Sequence, residues 1–435
     1  MGNDKVGELQ EALYRAAKVD AERRFHALHD KLWRPDVLQE AWARVRANGG
    51  APGVDGKTIE DYEREGVPLL LDGLARDLRE GTYRPSALRR VWIPKPNGKR
   101  RGLGIPTVRD RVAQTAAKLL LEPIFEADFE PFSFGFRPGR SPHQAVEQVL
   151  TYLNFGNEHV VDADISACFD SIPKDRLVRE VARRVSDGAM LKLIRSWLDC
   201  GMMEDDILHT SDRGTPQGAP LSPLLANVYL DRLDKAWIRT WLPQVRSVNA
   251  QMVRYADDLV ILAKGQAQNV KVTLDSCLRD LGLTLSTEKT RVVMAGDGFD
   301  FLGFHFRRVH DSRRNKRKTV WFPSAKSERK VRERIHELTK PRALGSGTLE
   351  TISQEVAEVL RGWGGYFRYS LARTAFNHVW MYAGYRIGLR NRKSRRRGPR
   401  WDPRTDRAMA VIDAVRPPVD PWGLRRFEWK PKAAR

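Results

Sequence analysis

Two aspartates in one short run, Asp257 and Asp258 inside MVRYADDLVILA, are the residues best placed to do chemistry. Met252 and Val253 before them and Leu259 to Leu262 after them favour strands, so the acidic pair predicts a β-hairpin with adjacent carboxylates at its tip. Neighbouring side chains in a strand point to opposite faces, and two adjacent acids share one site only at a turn. Like charges held out of water repel unless a cation lies between them. Oxygen-only ligands suit a hard ion, Mg²⁺ first. Taken alone, the pair is more simply a solvated Asp-Asp turn. A second acidic strand weighs against that: in His159-Val160-Val161-Asp162-Ala163-Asp164-Ile165, Asp162 and Asp164 fall on one face. The end of that strand is where another carboxylate could meet Asp257 across a sheet.

The elements that must position these acids come from a chain of 435 residues, long enough for two to four domains and a sizeable core. Its net charge of +21 and pI of about 10.1 imply a polyanionic partner. The cations are spread along the whole chain rather than along one amphipathic face, which favours nucleic acid over a membrane surface. No run approaches the roughly 18 apolar residues of a membrane span. The start, MGNDKVGELQ, has no apolar signal core, and Val6 stands where myristoylation wants Ser or Thr. Cys168, Cys200 and Cys277 are scattered without a CxxC pair, which fits a reduced cytoplasmic protein lacking structural zinc.

Residues 1 to about 50 read as helical, with Leu9, Leu13, Ala16 and Ala17 on one stripe and Val37, Leu38, Ala41, Trp42 and Val45 on another. GAPGVDG is a breaker-rich boundary, and residues 57 to 81 read as helix again. A basic hairpin follows, Arg89 to Pro94 and Leu103 to Pro106 around KPNGKRR, fit for a phosphate or template strand and equally for a solvated turn. Arg109-Asp110-Arg111 opens a helix expected to stop at Glu122-Pro123. FGFRPGR is a loop with two arginines before a helix capped by Ser141-Pro142. GTPQGAPLSP is a long loop entering a helix, able to bring backbone N–H groups to a base or phosphate. Beyond residue 306 the composition turns basic, three helices are expected near 326 to 340, 348 to 370 and 373 to 390, and RNRKSRRR continues as a polybasic tail. The middle helix interleaves arginines with rings, LRGWGGYFRY, suited to stacking and phosphate contact or to core packing.

In order, the blocks IPKPNGKRRGLGIPTVRDR, SFGFRPGRS, DADISACFDSIP, GTPQGAPLSPLLANVYL, RYADD, LSTEKT, FLGF and LRGWGGYF resemble the reverse transcriptases encoded by bacterial group II introns, from about residue 7 to 390. The resemblance implies an α+β, right-hand polymerase fold with an N-terminal helical extension (1–54), fingers (55–158), a palm with an antiparallel sheet (159–310), a thumb/maturase region that binds RNA (311–390) and a basic tail (391–435). It implies an RNA-directed DNA polymerase that extends a DNA or RNA primer on an RNA template with dNTPs, and that binds intron RNA to assist splicing and mobility. Two Mg²⁺ ions, with Mn²⁺ as a substitute, serve such transfer roughly 3.5–4 Å apart. Asp164 and Asp257 are the expected bridging carboxylates, with the Ile165 carbonyl as a further ligand and Asp258 at the same tip. Phe169 matches the ring that excludes a 2′-hydroxyl; Gln217 matches the residue beside the incoming nucleotide. Lys95 and Arg101 resemble the fingers cations that meet the triphosphate, and Lys289 the lysine that protonates pyrophosphate. Phe301-Leu302-Gly303 resembles the primer grip, and Arg109, Arg111, Arg137, Arg361 and Trp363 are the expected contacts to RNA or template.

Two departures from the family stand out. Lys174 stands in IPKDRL where relatives often have His, outside the acidic cluster. Nothing after about residue 400 resembles a zinc-binding HNH endonuclease, and no Cys or His follows His378, so insertion is expected to use DNA ends or replication forks. The alternatives are a domesticated reverse transcriptase in defence or repair, and a maturase that only assists splicing. The second predicts decayed aspartates, whereas Asp164, Asp257 and Asp258 all stand.

Overall fold

Strands and helices alternate along the chain in the computed structural model, which describes residues 4–94, 100–205, 207–241, 248–312, 315–340, 348–391 and 402–417. The strands are β1 (Leu88–Pro94), β2 (Arg100–Ile105), β3 (His159–Asp164), β4 (Met202–Glu204), β5 (Ile207–His209), β6 (Gln251–Tyr255), β7 (Asp258–Ala263), β8 (Arg291–Met294), β9 (Phe299–Phe301), β10 (Phe304–Asp311) and β11 (Lys316–Pro323). They form sheets ordered β2-β1-β4-β5, β6-β7-β3-β8 and β11-β10-β9. The β1–β2, β3–β8, β4–β5, β9–β10 and β10–β11 pairs are antiparallel, whereas β1 and β4 run parallel. The fold is α+β, the class expected of a right-hand polymerase. Two compact units divide it: Met1–Ala145 with Ala163–Ile261 and Gln268–Thr290, and Val146–Asp162 with Leu262–Ala267 and Arg291–Arg435. These units cut across the five segments drawn from the sequence.

The first unit is built on the helix Val108–Glu126, against which the helices Lys5–Val19, His29–Leu32 and Pro35–Asn48 pack. Val112, Ala113, Ala116, Ala117, Leu120, Leu121 and Ile124 are wholly buried, and the alanines let neighbouring helices approach closely. This helix does not stop at Glu122-Pro123 but continues through the proline to Glu126. Proline has no N–H for the carbonyl four residues back, that of Leu119. The Gln10 side-chain amide donates to that carbonyl instead, at 2.9 Å, and so repairs the ladder from the N-terminal helix. The stretch 57–81 is two helices, Ile59–Glu65 and Val67–Glu80, parted at Gly66 with φ +107°.

In the second unit the basic segment after residue 306 is the β10–β11 hairpin, with Arg307 opposite Val320 and Asp311 opposite Lys316. Glu158 neutralises two of its cations, Arg308 at 3.4 Å and Arg317 at 2.5 Å. The helices Ala325–Leu338, Leu349–Phe367 and Arg373–Arg390 match the three expected. Phe304 packs its ring against Phe367, 4.7 Å between centroids, and Phe376 packs against Trp380 at 5.6 Å. Within the basic tail expected over 391–435, residues 402–417 are folded. A helix, Pro403–Asp413, docks on the helices Leu349–Phe367 and Arg373–Arg390, and Trp380 Nε1 donates to the Ile412 carbonyl at 3.3 Å. Buried Ala408 and Ile412 supply the apolar face that a charge count hides.

Gln10→Ala should cost about 1–2 kcal/mol in urea denaturation by orphaning the Leu119 carbonyl. The cost should shrink in a Pro123→Ala background, where residue 123 regains an N–H. Equal costs in both backgrounds would show that the two positions are uncoupled.

Candidate active site

β6 carries Arg254 and Tyr255 into a turn at Ala256 and Asp257, and Asp258 opens β7. The expected hairpin is present, but its two acids diverge: Asp257 is half-buried and Asp258 is exposed. Ala256 has φ +57°, the left-handed region that costs a side-chain-bearing residue roughly 1–2 kcal/mol. Arg254 holds it there. Its wholly buried guanidinium donates to the Ala256 carbonyl at 3.1 Å and to Asn227 Oδ1 at 3.2 Å, and Nε donates to Asp234 Oδ1 at 2.8 Å. Asn227 Nδ2 in turn donates to the Gly135 carbonyl at 2.7 Å. A Cβ on Gly135 would lie 2.4 Å from the Ala256 nitrogen, so only glycine admits this approach. Phe134 N donates to Arg254 O, and Arg254 N to Phe132 O, both at 2.9 Å.

Asp164 ends β3, beside β7 in the sheet. Ile165 bridges Leu285, flanked by Ser286 N donating to Asp164 O at 2.8 Å and Ser166 N to Thr284 O at 2.9 Å. In this antiparallel pattern the Ile165 carbonyl is directed away from Leu285. A tight turn, Thr290 N to Ser286 O at 2.9 Å, then brings Lys289 back so that Nζ donates to both Asp164 oxygens, at 2.9 and 2.8 Å. Burial raises the Asp257 carboxyl above the usual aspartate range; its own backbone N–H opposes the rise and the Asp164 charge adds to it. Burial also pushes the Cys168 thiol up to about 12, with the Asp257 charge contributing. Asp164, Asp257 and Cys168 therefore share one electrostatic environment.

That donor set fits a hard divalent cation, and the grip of Lys289 on Asp164 shows that the carboxylate draws positive charge. Among the described residues no three His, Cys, Asp or Glu side chains gather as a ready ligand set. The chain would supply two carboxylates and a carbonyl, with water and substrate phosphates completing the shell, the usual manner of Mg²⁺ binding.

The loop 214–218 joins the other expected residues. Thr215 N donates to Phe169 O at 2.7 Å, and Gly104 N to Gln217 O at 2.8 Å. Gly218 has φ +113°, and a Cβ there would sit 2.8 Å from the Gly104 carbonyl oxygen. The Gln217 side chain accepts from Arg101 Nε and donates to Asp170 Oδ2 at 3.5 Å. Phe169, 8% exposed, lies in the short helix Cys168–Ser171. Lys95 lies outside the described residues.

In the second unit Phe301 is buried at the end of β9, and Leu302 (φ +50°) and Gly303 (φ +83°) form the turn into β10. Tyr366 Oη donates to the Leu302 carbonyl and Ser327 Oγ to the Gly303 carbonyl, both at 2.9 Å. Arg361 is exposed on the helix Leu349–Phe367. The Trp363 ring packs on Phe367 and Phe376, at 5.1 and 5.4 Å between centroids, rather than standing open to a base.

Arg111 and Arg137, expected to meet RNA, are engaged within the chain. Arg111 donates to the carbonyls of Gly49 at 3.0 Å and Ala51 at 2.7 Å. Arg137 donates to both Glu126 oxygens, at 2.9 and 2.7 Å, and to the Glu130 and Ser133 carbonyls at 2.6 Å. Each fastens the chain's own loops. Arg109 is paired with Asp77. The sequence reading missed Arg254, Asp234, Asn227 and Gly135 as supports of the turn. The available signal was a cation in an apolar strand and an acid in an apolar helix, Ser222–Ala236, since buried opposite charges pair.

Residues 93–306 match the family model described as reverse transcriptase (RNA-dependent DNA polymerase), and residues 328–407 match the group II intron, maturase-specific domain. Protein YkfC of Escherichia coli is 33% identical over 333 residues, covering 68% of this chain and 87% of that protein. Group II intron-encoded protein LtrA of Lactococcus lactis is 30% identical over 345 residues, 65% of this chain and 57% of that protein. This chain thus spans little more than half the length of that relative. A chain of a partial Cas6-RT-Cas1–Cas2 complex aligns over 58% of this chain and 41% of its own at a TM-score of 0.35 and 24% identity, a likeness that carries no argument.

The same helix gives a pH prediction. Asp231 is 8% exposed, and burial pushes its carboxyl up to about 6 despite its ion pair with Lys235. A raised acid favours the folded state at low pH, and that contribution is lost as pH rises through about 6. Asp231→Asn should therefore match the wild type near pH 4 and be more stable than it at pH 8, by at most about 3 kcal/mol. A difference in melting temperature that does not change with pH would refute this.

Proposed function

This chain belongs to the reverse transcriptase family, in the group that carries the group II intron maturase domain, and from that premise we propose that it copies RNA into DNA at the Asp164–Asp257 site. The family makes it a nucleotidyltransferase with nucleic-acid partners. The observation that carries the finer reading is the meeting of two acids 93 positions apart, whose charges act on one another at the end of the β3–β7 strands. Around them stand a cation, an apolar ring and a Gln–Arg pair, the set needed to place a deoxynucleoside triphosphate.

In this reading a primer 3′-hydroxyl attacks the α-phosphate of a dNTP, the P–O bond to pyrophosphate breaks, and pyrophosphate leaves. Divalent cations, when bound, lower the pKa of the 3′-hydroxyl and stabilise charge on the leaving oxygen. Asp164 and Asp257 would hold those cations, and the Ile165 carbonyl would add a ligand. Asp258, diverging from Asp257, is the weaker candidate. Phe169 closes the space beside the sugar C2′. Gln217 and Arg101 line the nucleotide's approach, the guanidinium suited to triphosphate oxygens. Lys289, already on Asp164 and exposed to solvent, can release it and give a proton to pyrophosphate. The turn at Phe301, Leu302 and Gly303 is assigned to the primer, and Arg361 to RNA. The maturase-specific match supports binding of intron RNA and assistance to splicing. No helix among the described residues is long and apolar enough to cross a membrane.

Primer extension on an RNA template with dNTPs and Mg²⁺ tests this directly. Asp164→Ala and Asp257→Ala should each abolish extension while RNA binding persists; extension by the double variant would sink the assignment. Phe169→Ala should raise rNTP incorporation relative to dNTP by about 10-fold or more. Unchanged sugar selectivity would remove Phe169 from the site.

A further inference from the structure

The buried ion pair behind the catalytic turn has no part in the reaction above, yet it touches the turn directly. Arg254 and Asp234 side chains are both 0% exposed. A buried pair of this kind is seldom a net source of stability, because desolvating two charges offsets their attraction. Its retention invites a geometric explanation, and the hydrogen bonds supply one. Two of the guanidinium nitrogens are occupied by Asp234, and the third divides between Asn227 Oδ1 at 3.2 Å and the Ala256 carbonyl at 3.1 Å. Asn227 is itself fixed by its bond to the Gly135 carbonyl, whose own residue lies against the Ala256 nitrogen. The residue immediately before Asp257 is thereby held through its carbonyl by Arg254, with Gly135 packed so close to its nitrogen that no side chain would fit there.

We propose that Arg254 is a positioning residue for nucleotide addition, with Asp234 and Asn227 orienting its guanidinium so that the left-handed Ala256 presents the Asp257 carboxylate toward Asp164. The assignment rests on Asp257 acting in catalysis as proposed above. Arg254 touches no substrate. Its planar, forked donor set is what allows one side chain to reach a carboxylate, an amide oxygen and a backbone carbonyl together; lysine, a point charge with three donors on a flexible stem, cannot reproduce it.

The decisive variant removes both charges at once, Arg254→Met with Asp234→Leu, since well-packed apolar replacement of a buried pair commonly preserves folding. We expect a melting temperature within about 3 °C of the wild type, a primer–template dissociation constant and a dNTP KM within about twofold, and a kcat for nucleotide addition lower by about 10- to 100-fold. Recovery of kcat along with stability would overturn the proposal, as would equal losses in kcat and primer–template affinity. Arg254→Lys, which keeps the charge, is read by the same criteria if the double variant does not fold. Failure of both to fold would make the pair a plain structural requirement and would also overturn it. Asp257→Ala run alongside separates the two readings. If Asp257→Ala is inactive while the double variant is fully active, positioning fails and the function stands; if Asp257→Ala is active, the function itself fails.

Discussion

Two carboxylates that repel one another must stay close together in a partly buried place, and the first unit is built to keep them there. Left to itself, a hairpin tip would swing its acid into water. Burial, with the Asp164 charge adding to it, raises the Asp257 carboxyl, and the hold of Lys289 on Asp164 partly offsets the negative charge. A divalent cation, as proposed for this site, would offset it better.

The restraint comes from parts of the chain remote from the acids. Asn227 and Asp234 lie on the helix Ser222–Ala236, Gly135 in the loop before the helix Pro142–Asn154, and Leu285 and Ser286 in the segment that carries Lys289. The loop 214–218 is held by backbone bonds to Phe169 and Gly104, and its Gln217 side chain meets Arg101. In the first case buried side chains hold a backbone turn; in the second, backbone bonds set the course and a side chain follows it.

What the sequence made legible follows from the range of the forces involved. The hairpins at 88–105 and 251–263 are encoded by strand formers around turn residues, and were readable locally. The acids were readable because adjacent carboxylates at a turn have few other uses once a second acidic strand is present. Arg111 and Arg137 were not, because an arginine in a Gly/Pro loop looks the same whether it faces a phosphate or closes its own loop. Pro123 was misread for a related reason: its missing donor is replaced by Gln10, whose bond to Leu119 spans 109 residues. Likewise Trp363 belongs to a ring cluster assembled by two helices, and the helix Pro403–Asp413 is hidden by the charge around it. Resemblance to a family supplied roles, but not which arginines are spent internally.

One device recurs in the two units, each taken by itself. In the first, Ala256 sits in the left-handed region with its carbonyl bonded by Arg254; in the second, Leu302 sits there with its carbonyl bonded by Tyr366. Glycine would relieve the strain at either turn, but it would also widen the range of conformations open to it. An alanine or leucine forced left-handed persists only where its surroundings over-determine it, and a bond to its own carbonyl does that. If Asp257 acts as proposed, the turn that Arg254 fixes must be accurate to a fraction of an ångström for in-line transfer. A strained residue under a clamp is therefore a better support for chemistry than a relaxed one without it.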